Sequence, residues 1–81
     1  MKTAEIEVVL KEALRQIAPD MDIMTIDLDA DLREELDIDS MDFLNLVTAL
    51  SEQLQVTMPE IDYPYIMTYN AMVTYLDKHT T

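Results

Sequence analysis

The chain contains no glycine and no cysteine, and it has a single histidine. Hairpin-rich and sandwich folds rely on glycine for turns with positive φ, so a chain without any points to helices. Lack of cysteine removes disulfides, thiolate metal sites and a cysteine nucleophile together. Any sulfur chemistry has to be supplied from outside the chain. Basic residues are scarce as well: 5 Lys and Arg stand against 17 Asp and Glu, giving a net charge of −12 and a pI near 4.1. Nucleic-acid phosphates and anionic membrane surfaces repel such a chain, which favours basic proteins or divalent cations as charged partners. No apolar run approaches the roughly 20 residues of a membrane span, so no membrane insertion is expected. The opening "MKTAEIEVVL" carries acids where a signal peptide is basic and then apolar. The cytoplasm is the expected location.

What is present is a folding pattern. Apolar residues make up 49% of the 81 positions, enough for one modest core and one domain over residues 1–81. From Ala4 to Ile17, the positions Ile6, Val9, Leu10, Ala13, Leu14 and Ile17 recur at helical spacing, with Thr3 as the expected N-cap and Pro19 as the stop. Residues 20–39 read as a long acidic loop. Met21, Ile23, Met24, Ile26, Leu28 and Leu32 are expected to pin it to the core, with a helical turn near Leu32 to Leu36. A second helix is predicted from Ser40 to Leu54, burying Phe43, Leu46, Val47, Leu50 and Leu54. Its start is marked by Asp39 as N-cap, with Ile38 stapled to Phe43. Two prolines in "VTMPEIDYPYI" leave room for a short helical turn only. The last helix, Tyr69 to Lys78 with Thr68 as cap, buries Met72, Tyr75 and Leu76. The fold class is all-α: three main helices, one short one and a long first loop.

Ser40 raises the functional question, because it sits between Asp39 and Asp42 on a first helical turn. A hydrolytic serine needs a base, and the only histidine, His79, lies near the end of the last helix, where the macrodipole favours a cation. That argues against a serine hydrolase and against an enzyme generally. Two readings of the residues themselves remain. Ser40 is a short polar residue suited to a helix start, or it is an acceptor for a phosphate-linked group brought by another enzyme.

The segment "DLREELDIDSMDFLNLVTAL" resembles the modification site of acyl carrier proteins, an L-x-x-D-S-[LM]-D pattern followed by an apolar helix. The likeness continues through "MPEIDYPYIMTYNAMVTYL", similar to the short third and the fourth helix of that family. The resemblance implies a four-helix, free-standing acyl carrier, monomeric and not itself catalytic. It implies that Ser40 carries covalent 4′-phosphopantetheine, donated by coenzyme A through a phosphopantetheinyl transferase with magnesium. The arm's thiol would hold acyl or aminoacyl groups as thioesters for acyl-loading and acyl-processing enzymes. Asp39, Met41, Asp42 and Leu44 are then the expected partner-recognition residues. Two departures stand out. The family commonly has a glycine two residues before the serine, where this chain has Ile38. The helix after Asp42 is also poor in acids, which points to a specialised lipid, polyketide or related pathway rather than the housekeeping one. The rival reading is an acidic helical protein-interaction module without a prosthetic group.

Other features yield to simpler readings. "DLDAD", Asp27 to Asp31, resembles an EF-hand start but lacks its glycine and its closing glutamate, so no specific metal site is expected. Residues 20–42 hold ten acids and one base, Arg33, consistent with diffuse cation binding. The seven methionines are expected mainly to fill gaps, with a pocket for an acyl chain as the sharper alternative. Tyr63, Tyr65, Tyr69 and Tyr75 are expected to close the core.

Overall fold

A computed structural model of the protein describes residues 2–80. Four helices form: α1 (Thr3–Ile17), α2 (Leu32–Glu35), α3 (Ser40–Leu54) and α4 (Tyr69–His79). Two 3-10 turns, Ile23–Thr25 and Glu60–Tyr65, punctuate the connections. Among the described residues there is no strand; an isolated antiparallel bridge joins Asp31 to Thr68. The architecture is the expected all-α bundle, with three long helices, the single turn of α2, and a long first loop.

One contiguous core joins the elements. Ile6, Leu10 and Leu14 of α1 meet Leu46 and Leu50 of α3 and Met72 and Leu76 of α4, all fully buried. Each such side chain contributes roughly 1.5–3 kcal/mol through the water it excludes. Only hydrophobic residues are buried among those described. The charged residues therefore remain near the surface, where they set the potential around the site without entering the core.

Helix starts are largely as the sequence implies. Asp39 accepts a hydrogen bond from the Asp42 N–H at 2.9 Å, and the Thr68 hydroxyl accepts from the Ala71 N–H at 3.1 Å. Thr3 differs from expectation. Lys2 occupies the capping position of α1 without a side-chain bond, and the Thr3 hydroxyl instead donates to the Asp77 carboxylate of α4 at 3.0 Å. Tying two helices together competes with capping for the same short side chain.

The long loop is held less by apolar side chains than the sequence suggests. Ile23 and Leu32 are buried and Ile26 packs on the core, but Met21, Met24 and Leu28 are exposed. Polar ties do the remaining anchoring. The Leu32 N–H donates to the Met67 carbonyl at 2.8 Å, and the Asn70 N–H to that of Leu28 at 3.1 Å. The Asn70 side-chain amide donates to the Asp29 carboxylate at 2.8 Å. These bonds fasten the loop to the entry of α4.

Glycine's usual work falls to two other residues. Asp37 (φ 52°) and Gln55 (φ 53°) adopt the left-handed conformation. After α2, the Ile38 N–H reaches the Arg33 carbonyl and the Asp37 N–H reaches that of Glu34. After α3, the Val56 N–H reaches the Ser51 carbonyl. Both are the closing bonds of a helix normally finished by glycine. The left-handed position before Ser40 is thus Asp37, whose short polar side chain tolerates it. Ile38 needs no glycine-like freedom; it is half-buried and packs against the core that includes Phe43.

Candidate functional site

Ser40 opens α3 immediately after the Asp39 cap. It is exposed, because the buried face of α3 is set by Phe43, Leu46, Val47 and Leu50. Its hydroxyl has no hydrogen-bond partner among the described residues, so it is not needed to cap the helix; the Asp39 carboxylate already does that. Among the described residues no base hydrogen-bonds to it. His79 lies in the last turn of α4, with its ring centroid 4.2 Å from that of Tyr75, and it lines an open groove that does not include Ser40.

Two clefts flank the hydroxyl. One, of about 250 Å³, is lined by Ser40, Phe43 and Leu44 of α3, by Glu60 and Tyr63 of the 3-10 turn, and by Arg33 and Met67. Phe43 and Tyr63 meet edge to face, with centroids 6.2 Å apart, and fix the apolar wall of this groove. The second cleft, about 430 Å³ and more polar, runs from Ser40 along Asp39, Ile38 and Asp37 to Arg33 and Asp31. Arg33 is common to both. Its Nη2 lies 3.0 Å from one Asp31 carboxylate oxygen and its Nε 3.3 Å from the other. The guanidinium beside it holds the Asp31 carboxyl below the usual carboxylate range.

Of the other residues expected at the site, Asp39 is exposed and bonded to the Asp42 backbone, while Asp42 is half-buried. Met41 is 66% exposed and Leu44 40% exposed. Asp39 caps α3 and the other three lie within its first five residues, so all four share one end of the bundle with Ser40. Sequence reading alone missed Glu60, Tyr63 and Met67 as walls of the groove. They arrive from a segment some 20 residues away, and no local pattern announces them. Arg33 did leave a signal, being the only base in an acidic stretch.

Several expectations need correction. Tyr69 and Tyr75 are buried and Tyr63 packs on the core, but Tyr65 is 70% exposed, because the 3-10 turn directs it away from the core. Tyr75 closes the core through polar bonds as well, donating to Asp62 at 2.8 Å. Tyr69 donates to Glu7 at 2.9 Å. Burial, reinforced by these carboxylates, raises both phenols, that of Tyr75 to about 12. Of the methionines, Met58 and Met72 fill the core, Met67 borders it, and Met21, Met24 and Met41 are exposed; Met1 lies outside the described residues. The alternating aspartates have structural work: Asp27 accepts from the Asp29 N–H at 2.9 Å, Asp29 from Asn70, and Asp31 caps α2. Among the described residues no group of three or more His, Asp or Glu is placed to hold a metal. No helix there is long and apolar enough to cross a membrane.

These residues suit a phosphate-linked, flexible arm. An unpartnered exposed hydroxyl sits at the mouth of a narrow, mostly apolar groove, with one cation at its edge. A helical bundle presenting such a hydroxyl on a rigid helix start has the form of a carrier, which displays a tethered group to other proteins. A family model described as "Phosphopantetheine attachment site" matches residues 4–76. The chain belongs to this family, whose members are non-catalytic carriers of covalent 4′-phosphopantetheine and interact with modifying and acyl-processing enzymes. A comparison with curated protein sequences finds no match.

Proposed function

We propose that Ser40 is the attachment residue and that the protein is an acyl carrier in a specialised lipid, polyketide or related pathway. The observation that carries this is the Ser40 hydroxyl itself: exposed, unbonded, and held at a groove mouth by a capped helix. The single core running from Ile6 to Leu76 supports reading residues 1–81 as one carrier domain.

Loading requires an enzyme that brings what the site lacks. A phosphopantetheinyl transferase with magnesium supplies the base that takes the Ser40 proton. The Ser40 oxygen bonds to the β-phosphorus of coenzyme A, the pyrophosphate P–O bond breaks, and adenosine 3′,5′-bisphosphate leaves. The bound arm supplies a terminal thiol on which acyl groups are carried as thioesters. What the chain contributes is presentation: Asp39 fixes the helix start, Phe43 and Tyr63 wall the groove, and the bundle keeps the tether rigid at its root.

Partner recognition falls to Asp39, Met41, Asp42 and Leu44. Exposed Met41 and Leu44 offer an adaptable apolar patch, and the two acids beside it suit basic partner surfaces. The shortage of further acids along α3 supports a dedicated pathway.

The test is intact-mass spectrometry after incubation with coenzyme A, magnesium and a broad-specificity transferase. One phosphopantetheine should be added, and Ser40→Ala should abolish the addition. No addition, or addition that survives Ser40→Ala, leaves the interaction-module reading ahead.

A further inference from the structure

A phosphodiester on Ser40 would stand in the most acidic part of the chain, since residues 20–42 carry ten acids and one base. That one base, Arg33, lines both clefts that meet at Ser40. No other Lys or Arg lines either cleft. Its guanidinium is held from one side only: Nε and Nη2 face the Asp31 carboxylate. Nη1 makes no hydrogen bond among the described residues. Asp31 is itself fixed by capping α2, accepting from the Arg33 N–H at 2.8 Å. A planar fork anchored along one edge keeps its remaining donors in a set direction, which suits a phosphate oxygen better than a freely rotating ammonium does.

The two clefts also differ in character. On one side of Ser40 lie four carboxylates, Asp31, Glu34, Asp37 and Asp39, with Ile38 among them; together they repel an anion. On the other lie Phe43, Leu44, Tyr63 and Met67, with Glu60 as its one carboxylate; the four apolar side chains suit the apolar part of a pantetheine chain. Arg33 stands at the junction.

We infer that Arg33 is a positioning residue for the phosphate of the arm: braced by Asp31, it offsets the surrounding carboxylates and directs the arm into the Phe43–Tyr63 groove. The inference rests on Ser40 being the attachment residue. Arg33 neither reacts nor activates the hydroxyl.

Holo protein, prepared with the transferase and checked by mass, is compared with its apo form by NMR. On conversion to holo, the Arg33 guanidinium nitrogen signals should shift, and cross-peaks should connect the arm's geminal methyls to the Phe43 and Tyr63 rings. In holo Arg33→Gln the phosphorus resonance should move and those cross-peaks should weaken severalfold. Arg33→Lys should recover part of both, and high salt should push the wild type toward the Gln variant. Circular dichroism of each variant separates this outcome from a loss of fold, and the wild-type guanidinium signals need no variant at all. Mass addition at Ser40 with unchanged guanidinium and phosphorus signals overturns this inference alone. Absence of mass addition overturns the attachment reading, and this one with it.

Discussion

The Asp39 carboxylate sits 2.9 Å from the Asp42 backbone nitrogen and accepts its hydrogen. The acid beside Ser40 is therefore engaged in starting α3. It holds the serine's backbone in place and leaves the serine's hydroxyl free.

Replacing Asp39 tests this division of labour. Asp39→Ala should lower stability by about 1 kcal/mol, the usual worth of an N-cap, while Asp39→Asn should retain most of it. Urea unfolding followed by circular dichroism measures both. Equal losses would mean that charge, and not the capping bond, is what matters at this position.

Gln55 holds φ at 53° with a full side chain, a conformation that costs a non-glycine residue about 1–2 kcal/mol. Gln55→Gly relieves this strain, although glycine's freer unfolded chain returns part of the gain. A net stabilisation of up to about 1 kcal/mol is expected, visible as a higher melting temperature. A destabilised variant would show that the Gln55 side chain makes a contribution the backbone geometry does not reveal.

Alkaline pH should unfold the protein through its buried phenols. Tyr75 is pushed up to about 12, first by burial and then by its bond to Asp62. An unfolded tyrosine ionises near 10. The folded state therefore keeps the proton better, and this contribution is complete below about pH 10 and lost as pH rises toward 12. Tyr69 shifts in the same direction. Melting temperatures from pH 9 to 12 should fall more steeply for the wild type than for Tyr75→Phe; parallel curves would assign the alkaline sensitivity elsewhere.

The acidic first loop gives a fourth expectation. Millimolar magnesium, or moderate sodium chloride, should raise the melting temperature at neutral pH by screening repulsion among residues 20–42. Because the carboxylates there are dispersed over caps and turns, magnesium should act without a sharp stoichiometric endpoint in titration. A flat response to both salts would mean that the loop's charges are already balanced internally.

Much of the bundle was legible beforehand. Helical periodicity placed Ile6 to Leu14, Phe43 to Leu54 and Met72 to Leu76 on buried faces, because a repeat of 3.6 residues leaves a direct trace in the chain. Asp39 and Thr68 were legible as caps for a similar reason: their partners lie three residues away. Thr3 misled because its actual partner, Asp77, is 74 positions distant. Met24 and Tyr65 misled because apolar composition does not say which side of an irregular segment faces inward.

The amino-acid order by itself determined an acidic helical bundle with one serine placed between two aspartates at a helix start, and its likeness to the acyl carriers supplied the carrier class. Tertiary structure decided that this hydroxyl would be exposed and unbonded, and that Phe43, Tyr63 and Met67 would converge to form a groove beside it. It also braced Arg33 against Asp31 at the junction of the two clefts. Local patterns encode contacts within a few residues of one another. The groove joins segments separated by a helix and a turn, and only packing around a shared core brings them together.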